Sequence, residues 1–216
     1  LNILFQKLKQ LKQTYSGISV CEEELSAVQE QLSETLKQNR EYKTQLEKIL
    51  HIEKYNGSSK KIIYSKGIDG DFWTIGVKTK YNSRGQMQHL EFELCNLSDT
   101  RTPLYWYGFL GIDVFYDTDQ MLKSFKIWDF KVKEENKGQG SMLLGEVLLY
   151  LSQIFGEKIE INGWLSTEDE GGAEKRQRID HVYQKFGFHI EGSHIFLNEL
   201  PIELINKERK KWNDKK

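Results

Sequence analysis

What most constrains the fold of this chain is a change of hydrophobic period across the segment Glu135-Asn136-Lys137-Gly138-Gln139-Gly140-Ser141. Ahead of it, Ser124-Phe125-Lys126-Ile127-Trp128-Asp129-Phe130-Lys131-Val132 reads as a strand; behind it, Leu143, Leu144, Val147, Leu148, Leu151, Ile154 and Phe155 recur at helical spacing. A strand that feeds a glycine loop and then a helix builds a place for an anion. The first turn of a helix has N–H groups with no intrahelical acceptor, and glycines let a phosphate approach them with no Cβ in the way. A dinucleotide fingerprint would need a third glycine where Leu143 stands, and no P-loop spacing closed by Lys and Ser or Thr occurs. Taken alone, the loop also fits a plain tight turn between strand and helix.

A second segment, Tyr183-Gln184-Lys185-Phe186-Gly187-Phe188, follows a helical stretch and precedes the short strand His189–Leu197. With this pair of motifs the sequence resembles the GNAT superfamily of acyl-CoA-dependent N-acetyltransferases. Their phosphate loop reads Arg/Gln-x-x-Gly-x-Gly/Ala and is followed, after a strand and a helix, by a Tyr-x-x-x-Gly-Phe-like segment. Both stand here in that order, with the strand Lys158–Leu165 and a helix between them, so the resemblance covers Ser124–Leu197, about a third of the chain. Glu135 occupies the family's Arg or Gln position, and Arg176 stands where the family often carries a pantetheine-contacting Asn.

The resemblance implies a mixed, mostly antiparallel central sheet flanked by helices (an α/β or α+β domain), acetyl-CoA as cosubstrate, and direct transfer of an acetyl group to an amine acceptor. It implies that Lys137, Gly138, Gln139, Gly140 and Ser141 receive the diphosphate and that the backbone of Phe130, Lys131 and Val132 runs beside the pantetheine arm. It also puts Tyr183 where many family members carry the tyrosine that protonates the leaving thiolate. A phenol is a neutral donor at pH 7, with a reference pKa of about 10, which suits that task. By its own pattern Tyr183 also fits the apolar face of a helix, beside Val182 and Phe186. Asp129 and Glu160 lie on the two strands that flank the expected cleft, and strand alternation leaves open which of them faces it. His181 lies on a different helix face from Tyr183.

Residues 1–55 differ in kind from the rest: they contain no proline, one glycine, and many Gln, Glu, Lys and Leu. Leu1, Leu4, Leu8, Leu11, Tyr15 and Ile18 form one apolar series at spacings of three and four, and Leu25, Val28, Leu32, Thr35, Asn39, Tyr42, Leu46 and Ile49 form another. This is the heptad pattern of a coiled coil, with the two series out of phase around Gly17–Cys21. Either one long helix carries a stammer there, or a short helix folds back and Ser19 with Glu22 caps the next. The seam is expected to pair with a second copy, giving a homodimer. Tyr55-Asn56-Gly57-Ser58-Ser59 reads as a linker, so the expected division is a helical segment over 1–55 and a transferase-like domain over 58–216.

Between these parts, strands are expected over Lys61–Ser65, Asp71–Tyr81, Gln86–Asn96 and Leu104–Tyr116, the last a buried central strand because it is almost wholly apolar. No helix is readable between Lys60 and Leu122, where the family usually places two, so strands, loops or the N-terminal helix would build the acceptor side. With 31 basic against 32 acidic side chains, no electrostatic grip on nucleic acid is expected. Cys21 and Cys95 and five scattered histidines offer no disulfide framework or metal-ligand spacing. Lys7, Lys9 and Lys12 interrupt the first apolar residues, and no run of about 18 apolar residues occurs, so neither a secretory leader nor a membrane span is expected and a cytoplasmic setting is. The rival to an enzyme is a non-catalytic CoA-binding or coiled-coil adaptor protein on a degenerate transferase fold.

Overall fold

The computed structural model describes residues 2–55, 60–98, 106–134, 137–165 and 173–214. The chain divides into two compact units, Leu1–Glu47 and Lys48–Lys216.

The first unit is part of one helix, α1 (Asn2–Tyr55). Its backbone stays helical through Gly17–Cys21, so the change of phase there is carried by one continuous helix and no second helix begins. A lone glycine inside a helix costs only about 1 kcal/mol relative to alanine, too little to break one this long. Thr35 and Thr44 donate to the carbonyls of Gln31 (2.8 Å) and Arg40 (3.0 Å), one turn back. Leu25, Val28, Leu32, Leu36 and Leu46 are all exposed.

The second unit takes in the last turns of α1: Lys48 donates to the Leu97 carbonyl, and Ile49 packs against Cys95 and Leu97. Its strands are β1 (Lys60–Ile68), β2 (Asp71–Tyr81), β3 (Met87–Asn96), β4 (Trp106–Tyr116), β5 (Leu122–Val132), β6 (Glu160–Trp164), β7 (His189–Glu191) and β8 (His194–Leu197). Its helices are α2 (Gln139–Phe155), α3 (Ala173–Gln184) and α4 (Ile202–Asn213). The strands make one sheet in the order β1-β2-β3-β4-β5-β6-β8-β7. Every pairing is antiparallel except β5 with β6. That exception follows from the connection, since parallel neighbours need a crossover and α2 supplies it. The first five strands follow one another with no helix among the described residues between them.

β4 is central, as its apolar sequence predicts, and Leu110, Ile112 and Val114 on it are buried. The expected strand His189–Leu197 is instead a hairpin, β7 and β8, which turns at Gly192 with φ 60°. The core fills one face of the sheet. α2 brings Leu143, Leu144, Val147, Leu148 and Leu151 onto Leu90, Phe92, Leu110 and Phe125. Beside α2 lies α4, whose Ile205, Glu208 and Trp212 are buried although its sequence is dominated by lysine and glutamate. Glu146 of α2 locks the pair: one carboxylate oxygen accepts from Arg209 Nε (2.7 Å) and Trp212 Nε1 (3.2 Å). Burial next to that carboxylate also pushes the Tyr64 hydroxyl well above the usual tyrosine range. No helix among the described residues is long and apolar enough to cross a membrane.

Candidate functional site

The glycine loop opens α2 as its sequence predicts. Gly138 sits at the N-cap with φ 76°, a left-handed conformation that favours glycine, and its carbonyl accepts the Met142 N–H at 3.0 Å. Gly138 itself brings no side chain to cap the helix. The amides of Gln139, Gly140 and Ser141 have no acceptor inside the helix, which is true of any first turn, so they point outward with the positive end of the helix dipole.

Next to this turn the sheet parts. β5 and β6 are in register from Ser124↔Glu160 to Ile127↔Gly163, and beyond that β5 runs on to Val132 in register with β4. The parting begins at a bulge. Ile112 faces Ile127 and Gly111 faces Asp129, which leaves Trp128 as the extra residue. Gly111 makes room for it, because a Cβ there would sit 2.3 Å from the Trp128 indole. The backbone edge of β5 from Trp128 to Val132 therefore pairs with β4 alone among the described strands, and its other side carries amide donors and acceptors spaced for an extended partner. Gly140 lies over the end of this edge: a Cβ at Gly140 would meet Phe130 Cζ at 3.5 Å and Val132 Cγ1 at 3.6 Å. Phe130, Val132 and the Gly138–Ser141 turn, named separately from the sequence, thus come together in space. Lys131 points elsewhere, its ammonium 3.1 Å from Asp129 and more than half exposed. Asp129, one of the two candidate bases, is accordingly tied to a cation. Glu160 is exposed at the start of β6, away from the gap.

The α2 turn also borders a cavity of about 320 Å³. Its walls come from the β1–β2 turn (Asp69, Asp71), the loop and first turn of α2 (Lys137, Gln139, Ser141) and α4 (Lys211, Trp212). Gln139 is the most telling member. It is only 3 % exposed, its Nε2 donates to Glu134 at 3.3 Å, and its Oε1 is buried with no hydrogen-bond partner among the described residues. Lys185 lies 3.5 Å from the Ser141 hydroxyl, and Lys211 donates to Glu208 at 2.6 Å. The sequence did not single out Lys185 or Lys211 as site residues. Lys185 lies inside the Tyr-x-x-x-Gly-Phe segment as an unassigned position, and Lys211 is one of several basic residues close together near the end of the sequence.

Tyr183 stands at the end of α3, 2 % exposed, with its ring edge-on to Phe130 (5.7 Å) and Phe188 (5.2 Å). It touches a residue of the β5 edge, but it is also part of the core. Arg176 is engaged within the fold, paired with Asp180 at 2.8 Å and donating to the Gly192 carbonyl of the β7–β8 turn. His181 is exposed. Glu135 and Asn136 lie outside the described residues, as do residues 166–172.

No family model matches the chain, and no curated protein matches it in sequence. Among solved structures it is similar to one titled AtaTR bound with AcCoA, at 12 % identity and a TM-score of 0.36, over 55 % of this chain and 71 % of that one. It is similar also to a putative acetyltransferase of the GNAT family from Desulfovibrio desulfuricans, at 13 % identity and a TM-score of 0.37, over 51 % of this chain and 69 % of that one. Likeness this distant carries no weight for site or chemistry, which rest on the chain's own geometry.

Proposed function

We propose that the chain is an acyl-CoA-dependent N-acyltransferase, taking acetyl-CoA and passing the acetyl group directly to an amine. The observation that carries this is the meeting of the helix start Gly138–Ser141 with the side of β5 that, among the described residues, no strand pairs beyond Ile127. One feature receives a diphosphate and the other an extended amide-bearing arm, and they adjoin at Gly140, Phe130 and Val132. The residues present fit such a group, since Gly138 and Gly140 leave the amides open and Gln139 Oε1 is a buried acceptor still lacking a donor. Acetyl-CoA supplies an activated thioester. The chain's part is to hold it and to manage protons. The α2 amides bind the diphosphate, and the β5 edge orients the arm toward the gap at Trp128. In this reading the Tyr183 phenol, set on Phe130 at that edge, donates its proton to the departing sulfur. The acceptor amine loses its proton through water, since Asp129 is already paired with Lys131.

The burial of Tyr183 and the engagement of Asp129 favour a second reading, a CoA-binding module without turnover. Calorimetry with CoA, followed by a mass-spectrometric screen of amines and peptides with acetyl-CoA, separates the two. Binding with acetylated product supports the enzyme, binding without product supports the module, and no binding rejects both.

A further inference from the structure

The core and α2 fill one face of the sheet, so among the described residues the approach to the β5–β6 parting is from the other face. Alternation says which residues lie there. Leu110 and Ile112 point into the core, so Phe109 and Gly111 point away from it, as do Asn162 and Trp164 beside the buried Ile161. The last register pair before the parting is Ile127↔Gly163, and the residues that follow it are Trp128 and Trp164. Both hold large rings in the open, 45 % and 64 % exposed. They lean apart. The Trp128 indole lies over Gly111 of β4 and edge-on to Phe109 at 5.5 Å, whereas the Trp164 ring lies on His194 of β8 at 5.0 Å and 33°. β4 and β8 flank β5 and β6 on opposite sides, so the two indoles wall a slot whose floor is the parting. His194 stacks in turn on Phe196, and Phe196 on His189, so a column of rings backs Trp164.

The charges of this face narrow the occupant. Asp129 is paired with Lys131 at 3.1 Å, Asp113 is hydrogen-bonded to His89 at 2.6 Å, and Glu91 is paired with Lys80. A polyamine would need carboxylates to spare, and Glu160 stands about 13 Å from Trp164 along β6. A polyanion would meet Lys80 and Lys131 already paired. What remains is aromatic surface. We propose that the acceptor is a primary amine carrying a flat aromatic ring, an arylalkylamine, its ring held by Trp128 and Trp164 and its nitrogen directed into the parting. Aromatic pairs gain from stacked or edge-to-face contact, and an indole face also attracts the ammonium form in which such an amine arrives. The assignment rests on the acyltransferase reading and adds to it the class of acceptor. The ammonium first gives one proton to water. Its nitrogen then bonds to the thioester carbonyl carbon as the carbon–sulfur bond breaks. The nitrogen gives up a second proton to water and the sulfur takes one, leaving the N-acetylated amine and CoA.

The test is kcat/KM for CoA release from acetyl-CoA by the full chain, with 2-phenylethylamine, n-butylamine, spermidine and a lysine-containing peptide. n-Butylamine is a primary amine without a ring. The parent should prefer 2-phenylethylamine to each of the others by about tenfold or more, the scale of burying a ring between aromatic walls. Trp164→Ala removes an exposed side chain, so the melting temperature should hold. Its KM for 2-phenylethylamine should rise by about tenfold, with the preference over n-butylamine lost, while Trp164→Phe should retain most of that preference. Equal kcat/KM for 2-phenylethylamine and n-butylamine overturns the assignment. So does a preference for spermidine or the peptide, or a Trp164→Ala chain that slows both monoamines alike. Each of those results keeps the acyltransferase reading. No turnover of any amine by a chain that binds acetyl-CoA is a different result: it removes that reading, and this assignment with it.

Discussion

At the scale of single residues, Tyr183 and Gly140 ask opposite questions of the same edge. Tyr183→Phe removes one oxygen and leaves both ring contacts, with Phe130 and Phe188, in place. If the phenol protonates the leaving sulfur, melting temperature and CoA affinity should hold while turnover falls by about 10²–10⁴-fold, the usual contribution of general acid–base catalysis. Turnover at the parent rate would leave Tyr183 a packing residue. Gly140→Asp adds a side chain where a Cβ meets only ordinary contacts, at 3.5 and 3.6 Å, so the protein should fold. A carboxylate in the first turn of a helix is itself mildly stabilising, by about 0.3–1 kcal/mol. The melting temperature should therefore stay level or rise slightly, while CoA binding is lost to repulsion and bulk. A folded Gly140→Asp protein that binds CoA undiminished would place the diphosphate elsewhere. Stability and binding should move apart in this variant, and that separates a ligand site from a structural turn.

At the scale of elements, the gap between β5 and β6 depends on how β5 lies on β4. The Trp128 bulge is where β5 leaves β6, and Gly111 is the space the indole occupies. Gly111→Ala would drive a methyl into that ring at 2.3 Å, which neither the ring nor the paired backbone can absorb without moving. Overpacking of this kind costs about 1–3 kcal/mol, so the melting temperature should fall and CoA affinity with it as the β5 edge shifts. Adding Trp128→Leu to Gly111→Ala removes the clash and should recover much of the stability, a non-additivity expected of residues in contact. Two additive losses would mean the indole is not what Gly111 accommodates. α4 is held by a different logic. Glu146 takes hydrogen bonds from Arg209 and Trp212, and through them a lysine-rich helix becomes the far wall of the cavity.

At the scale of the whole molecule, the open question is what covers the apolar seam of α1. Leu25, Val28, Leu32 and Leu46 are exposed, and an isolated helix of this composition is marginal in water. We propose that the seam pairs with that of a second copy, with Asn39 fixing register at some cost in stability. The full chain should then scatter light as a dimer, while a chain beginning at Lys48 should be monomeric. Lys48 is the better starting point than the linker, because Lys48 and Ile49 are engaged with Leu97 and should be kept. Equal monomeric masses for the two chains would end the proposal.

The sequence by itself determined what depends on neighbours along the chain. The change of hydrophobic period placed β5, the Gly138 turn and α2, because strand and helix each announce their period over a few residues and a left-handed N-cap favours glycine. The two heptad series placed α1, although the sequence left open whether the helix broke around Gly17–Cys21. Strand positions, and the lack of a helix between β1 and β5 among the described residues, were legible in the same way. Tertiary structure alone decided what depends on strands meeting across long separations. The bulge at Trp128 is set by a glycine on another strand, and nothing in the alternation of β5 signals it. The hairpin in His189–Leu197 needed the β6 edge to define its pairing. The cavity is assembled from the β1–β2 turn, the α2 turn and α4, parts of the chain that share no local pattern. Lys211 shows the difference most plainly. In the sequence it is one lysine in a basic run, and only the lock of Trp212 and Arg209 onto Glu146 turns it toward the start of α2.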